Sequence, residues 1–363
     1  MTSLVFLCDW LPPDFGAVGQ YALQYARQRA SEGEKVVLFG LTSGEGSEQR
    51  ELIGSGELRV LRLHTPTYSR ASLRERAWWT FRTNLSLVYR ALPEIRSCRE
   101  LMFTGSPPFL LHLVAPLNLL LRRRLIYRIS DFFPECLIAE LPRTPWYLKA
   151  LQRLTLFWRR RVDVIEVLGE DQRRRLVETG IPAERIVLRR DTSPVAVAVD
   201  TKPLPRPEPL AGRRILLYSG NFGVAHDHET FLAGYRKHHR EGSAKVGLWL
   251  NATGSRADAL ERALSSERLP FHRTRPVPLE QLASLLMTPD AHLITLRDPF
   301  VGYVLPSKVY GCIDSGKPIL YVGSEASDVH ALCSSKTTPG WYERVAAGNA
   351  DGVYRALERL AES

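Results

Sequence analysis

A lysine stands in this sequence where a bound anion would explain its position. The segment Pro306-Ser307-Lys308 predicts the start of a helix that ends at Gly316, before a buried strand over residues 318–322. The dipole of a helix disfavours a cation in its first turn and favours an anion there. We therefore expect Lys308 to face an anion bound at this helix end.

A glycine-bearing segment, Ser219-Gly220-Asn221-Phe222-Gly223, follows one predicted strand and precedes a predicted helix. Backbone N–H groups in such a position can bind a phosphate, although a tight turn alone would also call for the glycines. The segment is not G-x-G-x-x-G, and no acidic residue stands clearly at the end of the next strand to bind a ribose. An NAD site is therefore not indicated, and a Walker A motif is absent as well.

Two further loops carry glycines after predicted strands. Gly16 and Gly19 lie in the first strand–helix loop, which has no basic side chain, and Thr253-Gly254 lies in a loop of the second half. Their backbone could face a ligand, but the glycines could equally serve turn geometry alone.

An acidic residue follows another predicted strand, residues 125–129. Asp131 could accept a proton or a hydrogen bond from a hydroxyl group, or it could cap the following turn. Phe132 and Phe133 come next and are predicted to form an apolar wall for an acceptor.

The segment His226-Asp227-His228-Glu229 contains four potential metal ligands. It begins a predicted helix, so its side chains do not share one face as alternate residues of a strand would. Asp227 is interpreted as the N-cap residue, with Thr230 at the third helical position. No D-x-D motif is present, and we expect no metal site.

Arginine and tryptophan are interleaved in one segment, and arginine recurs in a second: Arg70, Arg74, Arg76, Trp78, Trp79, Arg82 and Arg90, then residues 122–124. Such a pattern fits an anionic membrane surface, a nucleic acid, or a solvated basic helix face. The membrane surface ranks above nucleic acid, because no RRM, HTH, KH or zinc module is visible. Peripheral membrane contact is therefore one expectation, and a nucleic-acid partner is not expected.

Alternating strands and helices must position these residues. Strands are predicted over residues 4–7, 35–39, 58–63, 125–129 and 164–167, and in the second half over residues 214–218, 246–250, 292–296 and 318–322. Residues 195–213 are rich in proline, which fits neither a helix nor a central strand. We predict an α/β protein of two doubly wound Rossmann-like domains facing across a cleft, residues 1–195 and 196–340.

Composition sets broad limits. The 363 residues suffice for two domains, and the net charge of +10 suggests anionic partners without choosing among them. Five scattered cysteines without C-x-x-C spacing fit a reducing cytoplasm better than a disulfide scaffold. The N-terminus enters a strand with no secretion signal, and no apolar run is long enough to span a bilayer. We expect a cytoplasmic protein, with the inner membrane surface as the alternative location.

Taken in order, several segments resemble the GT-B glycosyltransferases, specifically the large retaining family 4 group. The similar segments are YRISDFFPE, VLGEDQRRRLVETGIPAERIVL, LYSGNFGVAHDHETF and VPLEQLASLL, with the entry loop PPDFGA and a Pro-Ser-Lys before Gly-Lys-Pro. The resemblance spans nearly the whole chain. It implies metal-independent transfer of a hexosyl-type sugar from a nucleoside diphosphate sugar, with retention of the anomeric configuration.

The resemblance also implies roles for particular residues. It places Lys308 on the diphosphate as a catalytic residue and Asp131 on the acceptor side. The implied donor-binding residues are Gly16, Ala17, Ser219, Gly220, Asn221, His226, Thr253, Gly254, Arg275, Val277, Tyr303, Pro306, Ser307 and Lys308. The last helix, within residues 341–363, is expected to pack back on the N-terminal domain.

The sequence departs from the family pattern at two glutamates that usually stand eight positions apart. Those positions hold Tyr303 and Gly311, so recognition of the ribose must differ. The basic pair common in the family falls on Asn221 and His226, which leaves Lys308 as the conventional anion-binding side chain.

The sequence therefore predicts a glycosyltransferase of bacterial biosynthesis, with a small-molecule or lipid-linked acceptor. Two alternatives stay open. One is a membrane-surface transferase that acts on a lipid-linked sugar in cell-envelope polysaccharide synthesis, and the other is a degenerate nucleotide-sugar binder without transfer activity.

Overall fold

The computed structural model describes residues 2–14, 16–66, 73–198, 200–336 and 341–362. The chain forms two compact units, residues 1–190 and 191–363. The division falls a few residues before the boundary at residue 195 that the proline-rich segment predicts.

The first unit is built on an eight-stranded sheet in the order β3-β4-β2-β1-β5-β6-β7-β8. Its strands are β1 Leu4–Trp10, β2 Lys35–Thr42, β3 Ser47–Ile53, β4 Gly56–His64, β5 Glu100–Thr104, β6 Arg124–Ile129, β7 Val164–Val167 and β8 Ile186–Leu188. Its helices are α1 Ala17–Ser31, α2 Leu73–Ser97, α3 Leu111–Leu121, α4 Glu135–Glu140, α5 Trp146–Arg159 and α6 Glu170–Glu178. All recorded pairings are parallel except that of β3 with β4.

The sequence accounts for this arrangement. Strand β1 is buried along almost its whole length, as expected for a central parallel strand whose two faces are both covered. Helix α1 packs its small residues Ala22, Ala26 and Ala30 into the core below β1 and β2. The chain leaves β1 toward β2 and later returns to β5 on the other side of β1. The gap between β1 and β5 is therefore the switch point of this sheet, where doubly wound proteins bind ligands.

The second unit is built on a six-stranded parallel sheet in the order β11-β10-β9-β12-β13-β14. Its strands are β9 Arg214–Asn221, β10 Val246–Thr253, β11 Phe271–Thr274, β12 Ala291–Thr295, β13 Ile319–Val322 and β14 Tyr342–Val345. Its helices are α7 Glu229–Glu241, α8 Ser255–Ser266, α9 Leu279–Met287, α10 Lys308–Asp314, α11 Asp328–Lys336 and α12 Ala350–Glu362. The switch point of this sheet lies between β9 and β12.

Two strands run further than their apolar patterns predict. Residues 219–223 were expected to form a tight loop, but Ser219, Gly220 and Asn221 belong to β9. They pair in register with Asn251, Ala252 and Thr253 of β10. The parallel ladder continues past the apolar residues because its backbone hydrogen bonds do not depend on side-chain type.

The final helix differs from its prediction. Helix α12 packs on α7, and its apolar residues Val353, Ala356, Leu357 and Leu360 are buried in the core of the second unit. The expectation that this helix belongs to the N-terminal domain is therefore wrong. The physical reason is close fit: a Cβ atom at Gly234 of α7 would lie only 2.4 Å from Cβ of Val353, so the missing side chain lets the two helices approach.

Candidate functional site

Lys308 is the first residue of α10, and its side chain reaches β9 at the switch point of the second sheet. The ammonium Nζ lies 3.1 Å from the centre of the Tyr218 ring. Part of the side chain is exposed, but Nζ itself is buried and has no hydrogen-bond partner among the described residues. A cation over an aromatic face recovers only part of the free energy of desolvation. The site therefore presents a buried positive group that an anion would complete.

Burial also changes the protonation of this lysine. It lowers the pKa of Lys308 well below its ordinary value, because the charged form loses hydration. A negative group placed beside Nζ would favour the charged form and raise the pKa again. Binding of an anion and protonation of Lys308 are therefore coupled.

Two glycines shape the surroundings of the lysine. Gly220 has φ +110°, and a Cβ atom there would lie 3.9 Å from Cε of Lys308. Gly254 has φ +111°, and a Cβ atom there would lie 2.5 Å from Oδ1 of Asn221. Backbone conformation at both positions favours glycine, and at Gly254 the space excludes a side chain as well. The structure thus brings the predicted donor-binding residues Gly220, Asn221, Thr253 and Gly254 together at one edge of the sheet.

His226 lies near Lys308, and its imidazole ring is uncharged. Its Nδ1 lies 2.6 Å from the backbone carbonyl oxygen of Thr295, to which it donates a hydrogen bond, and its ring meets the rings of Tyr218 and Phe222 edge-on. Burial, and then the charge of Lys308, lower the pKa of His226 to about 3. The histidine therefore does not replace the cationic side chain that the family resemblance implies at this position.

A pocket of about 310 Å³ lies on the second unit next to His226. Two arginines that the sequence interpretation did not select, Arg256 and Arg297, contribute to its wall. Nε of Arg256 is buried without a hydrogen-bond partner among the described residues, while Arg297 donates from Nη1 to the carbonyl oxygen of Val224 at 3.1 Å. Both arginines come shortly after strands of the sheet, and that position was the sequence signal that could have identified them.

The remaining predicted donor residues have varied surroundings. The carbonyl oxygen of Arg275 accepts a hydrogen bond from Nδ2 of Asn251 at 2.7 Å, which ties its loop to β10. Val277 packs against the apolar cluster below that strand. Pro306 is buried, whereas Ser307 and Tyr303 are half-buried on the approach to α10. Their contact with a donor stays a prediction.

Gly311, one of the two positions where the family usually has a glutamate, is buried on α10. A Cβ atom there would lie 2.9 Å from Cδ1 of Leu286 on α9. A side chain at this position would require the end of the Leu286 side chain to move. The absence of a carboxylate at Gly311 therefore agrees with the local packing.

In the first unit, the predicted acceptor residues separate into two groups. Asp131 is exposed after β6, and Phe133 is half-buried against the ring of Phe109. Phe132, however, is only 1% exposed and lies under the guanidinium group of Arg159. The prediction that Phe132 lines an acceptor site is therefore wrong, because its side chain turns into the core.

Asp9, which the sequence interpretation missed, lies at the switch point of the first sheet. Its Oδ2 accepts a hydrogen bond of 2.6 Å from Oγ of Ser106, which follows β5, while Oδ1 is buried without a partner in the part of the chain that the structure describes. Burial, assisted by the negative charge of Asp131, raises the pKa of Asp9 to about 7. An acidic residue at the end of the apolar strand β1 was the available signal.

Gly16 and Ala17 also lie in the first unit, where Gly16 caps α1. Gly19, one turn into the helix, has a packing role, since a Cβ atom there would lie 1.8 Å from the carbonyl oxygen of Trp10. This close approach accounts for Gly19 without a ligand.

Glu135, the last residue of the family-like segment YRISDFFPE, forms a buried ion pair with Arg159. Nη1 of the arginine lies 2.6 Å from Oε1 of the glutamate, and Nη2 also donates to the carbonyl oxygen of Phe133 at 3.0 Å. The pair fixes the segment that carries Asp131, so the role of Glu135 is structural.

The segment His226-Asp227-His228-Glu229 is held by local contacts. Asp227 accepts hydrogen bonds from the backbone N–H and the hydroxyl group of Thr230, but α7 begins at Glu229, so His228 and not Asp227 occupies the N-cap position. Within the described ranges, no group of three His, Cys, Asp or Glu side chains is placed to hold a metal ion. Over the same ranges, no helix has the length and apolar character needed to cross a bilayer.

The chain has the GT-B fold, with two Rossmann-like units built on parallel sheets. It superposes on an E. coli trehalose-6-phosphate protein solved with UDP-2-fluoro glucose, with a TM-score of 0.63, 15% identity, and coverage of 100% of this chain and 91% of the other. It also superposes on WaaG, a glycosyltransferase involved in lipopolysaccharide biosynthesis, with a TM-score of 0.62, 13% identity, and coverage of 99% and 90%. These likenesses confirm the predicted fold class.

A comparison of sequences also finds a similar protein. The chain is 25% identical over 256 residues to the Pseudomonas aeruginosa protein named "Probable glycosyltransferase WbjE". The match covers 67% of this chain but only 62% of the relative's length. No protein-family model matches the chain.

Proposed function

We propose that this protein transfers a sugar from a nucleoside diphosphate sugar to an acceptor, and that Lys308 binds the diphosphate. One observation carries the proposal: the Lys308 ammonium group is buried at the switch point of the second sheet with no hydrogen-bond partner among the described residues. A buried cation of this kind is unfavourable unless an anion joins it. Gly220, which has no side chain, lies beside Lys308 at the adjacent end of β9, and Asn221 follows it.

The comparisons support the choice of reaction. The matched relative is named a glycosyltransferase, and one structure of the same fold contains UDP-2-fluoro glucose. The family resemblance further supports a retaining, family 4-like enzyme of the Pro-Ser-Lys subgroup that needs no metal. In such a reaction the bond from the anomeric carbon to the diphosphate breaks, and a bond to the acceptor oxygen forms on the same face. The proton of the acceptor hydroxyl passes to the departing diphosphate oxygen.

The chain's own residues have separate roles in this proposal. Lys308 neutralises charge that develops on the leaving diphosphate, and its dry surroundings strengthen that interaction. Asp131 is exposed and serves as an acceptor-side polar group, and its negative charge helps to raise the pKa of the buried Asp9. The donor-binding roles of Ser219, Thr253, Arg275, Val277 and Tyr303 belong to the same proposal.

Release of nucleoside diphosphate from UDP-, GDP-, ADP-, CDP- and dTDP-sugars, without an acceptor and with EDTA present, tests the reaction. We expect slow hydrolysis of one donor class, and much less with Lys308→Met. The matched control is Lys245→Met, because Lys245 is an exposed lysine at the opposite edge of the same sheet. Tight nucleotide binding with no turnover would instead favour a degenerate nucleotide-sugar binder. Loss of activity on addition of EDTA would contradict the proposed metal independence but not the proposed sugar transfer.

A further inference from the structure

Three helices of the first unit form one layer with an exposed apolar surface. Helix α3 contacts α2 on one side and α5 on the other. The three follow strands whose connections all run toward β8, so right-handed crossovers place them on the same side of the sheet. We call the outward surface of α2, α3 and α5 the helical face.

Helix α2 contributes an apolar stripe. Trp78, Phe81, Leu85 and Tyr89 recur at intervals of three and four residues, so they share one side of the helix. All four are exposed, Trp78 to 66% and Tyr89 to 73%. The opposite side of α2 carries the buried Leu87 and neighbouring core residues, so this second stripe is not needed to pack the unit.

The other two helices extend the same surface. Leu119 and Leu120 are exposed at the end of α3, with Leu120 at 82%. On α5, Trp146, which is 81% exposed, lies on one side of the helix with Leu154 and Phe157. Ten of the fifteen large hydrophobic side chains exposed among the described residues lie on these three helices. Such a concentration indicates an interaction surface, since exposed apolar residues are normally scattered.

The charge of the helical face selects the partner. Arg82, Arg90, Lys149 and Arg153 are exposed on these helices, and Arg122 is exposed directly after α3. Within the described ranges, none of them has a carboxylate within 4.0 Å. Helices α3 and α5 contain no acidic residue at all. An apolar surface with unpaired cations and exposed tryptophan and tyrosine matches the headgroup region of an anionic bilayer.

We propose that the helical face binds the surface of an anionic phospholipid bilayer, with Trp78, Tyr89 and Trp146 inserted among the headgroups. This goes beyond sugar transfer, since it assigns a location and a binding surface to the first unit. Each aromatic side chain gains from leaving water, and each flanking arginine or lysine gains from nearby lipid phosphate. The arrangement lies parallel to the bilayer and needs no membrane-spanning helix.

Co-sedimentation with vesicles of phosphatidylcholine alone, or with 30% phosphatidylglycerol, tests this surface. We expect wild type to sediment with the anionic vesicles, and the bound fraction to fall at high salt. The combined variant Trp78→Ser, Tyr89→Ser, Trp146→Ser should reduce that fraction at least about fivefold by loss of apolar insertion. A matched control replaces Leu52, which is 80% exposed on β3, and Leu279, on α9 of the second unit, with serine, and should bind as wild type does.

Three results would overturn the proposal. The first is wild-type protein that stays in the supernatant when anionic vesicles are present. The second is a triple variant that sediments with these vesicles as fully as wild type. A wild-type dimer in solution that becomes a monomer in the triple variant, without vesicle binding, would assign the face to protein association instead. Circular dichroism and nucleotide binding of each variant show that the fold is retained.

Discussion

Nζ of Lys308 lies 3.1 Å from the centre of the Tyr218 ring, which joins the start of α10 to β9 across the switch point of the second sheet. The contact replaces part of the hydration that the ammonium group loses, but the aromatic face accepts no full hydrogen bond. The lysine is thus held in place before any ligand arrives, with its hydrogen-bonding capacity unused among the described residues. Preorganisation of this kind lowers the free energy that binding must supply for ordering.

Binding of a nucleoside diphosphate should take up a proton at Lys308. Burial lowers the pKa of the free lysine, and a bound phosphate raises it, so the complex holds more protons than the free protein between the two pKa values. Affinity should therefore fall as pH rises through this interval. Titration calorimetry in buffers of different ionisation enthalpy measures the proton directly, and Lys308→Met should abolish the uptake. Equal uptake by the variant would place the titrating group elsewhere.

Gly220→Ala should weaken nucleotide binding beyond its effect on stability. Alanine is strained at φ +110°, and its methyl group would face Lys308. Gly212→Ala is the matched control, because Gly212 also has a positive φ of +73°, and a Cβ atom there would have no atom of the described residues within 4 Å. We expect both variants to lose about 1 kcal/mol of unfolding free energy, measured by urea titration. Only Gly220→Ala should lower nucleotide affinity, and equal losses of affinity would contradict the assigned position of the lysine.

Asp9→Asn should change how the rate of transfer depends on pH. Burial raises the pKa of Asp9 to about 7, so the carboxylate becomes available only as pH rises through that value. If Asp9 accepts a hydrogen bond or a proton on the acceptor side, kcat of the wild type should rise across this pH range. The kcat of Asp9→Asn should not show this rise. Asp131→Asn should raise the KM for acceptor and move the rise to lower pH, because the negative charge of Asp131 helps to raise the pKa of Asp9. A wild-type profile that is flat near pH 7 would remove Asp9 from the reaction.

Arg159→Met should destabilise the first unit without acting on the nucleotide. Removing one partner of a buried ion pair leaves Glu135 uncompensated, at a cost of about 3–5 kcal/mol. The double variant Arg159→Met, Glu135→Leu should recover much of the lost stability, since it removes both charges. Denaturant unfolding measures both values, and a single variant as stable as wild type would show that the pair is dispensable.

Much of the fold could be predicted, because buried parallel strands appear in the sequence as short runs of apolar residues. Strand β7 has the predicted bounds, and β6, β9 and β13 begin or end within a few residues of their patterns. The final helix shows the limit. The apolar stripe of α12 is visible in the sequence. Its packing on α7 depends on Gly234, which lies more than a hundred positions away and gives no pattern other than the lack of a side chain.

The sequence predicted the position of site residues where their place at the end of a strand was enough to locate them. It was less successful where the direction of a side chain determines whether the residue reaches the surface. Lys308, Gly220 and Gly254 come together as expected, because the carboxyl ends of neighbouring parallel strands meet at one edge. Phe132 and Phe133 are chemically alike, and only the packing under Arg159 decides which of them is buried. Asp9 was overlooked although an acidic residue near the end of an apolar strand is visible in the sequence, because its partner Ser106 belongs to a distant segment.

Direct measurement of nucleoside diphosphate affinity by calorimetry, in wild type, Lys308→Met and Lys245→Met, tests the diphosphate site most directly. One diphosphate should bind wild type and Lys245→Met equally, and bind Lys308→Met at least about tenfold more weakly, which corresponds to roughly 1.4 kcal/mol. A Lys308→Met protein that is folded and binds the diphosphate as tightly as wild type would contradict the proposed role of the lysine.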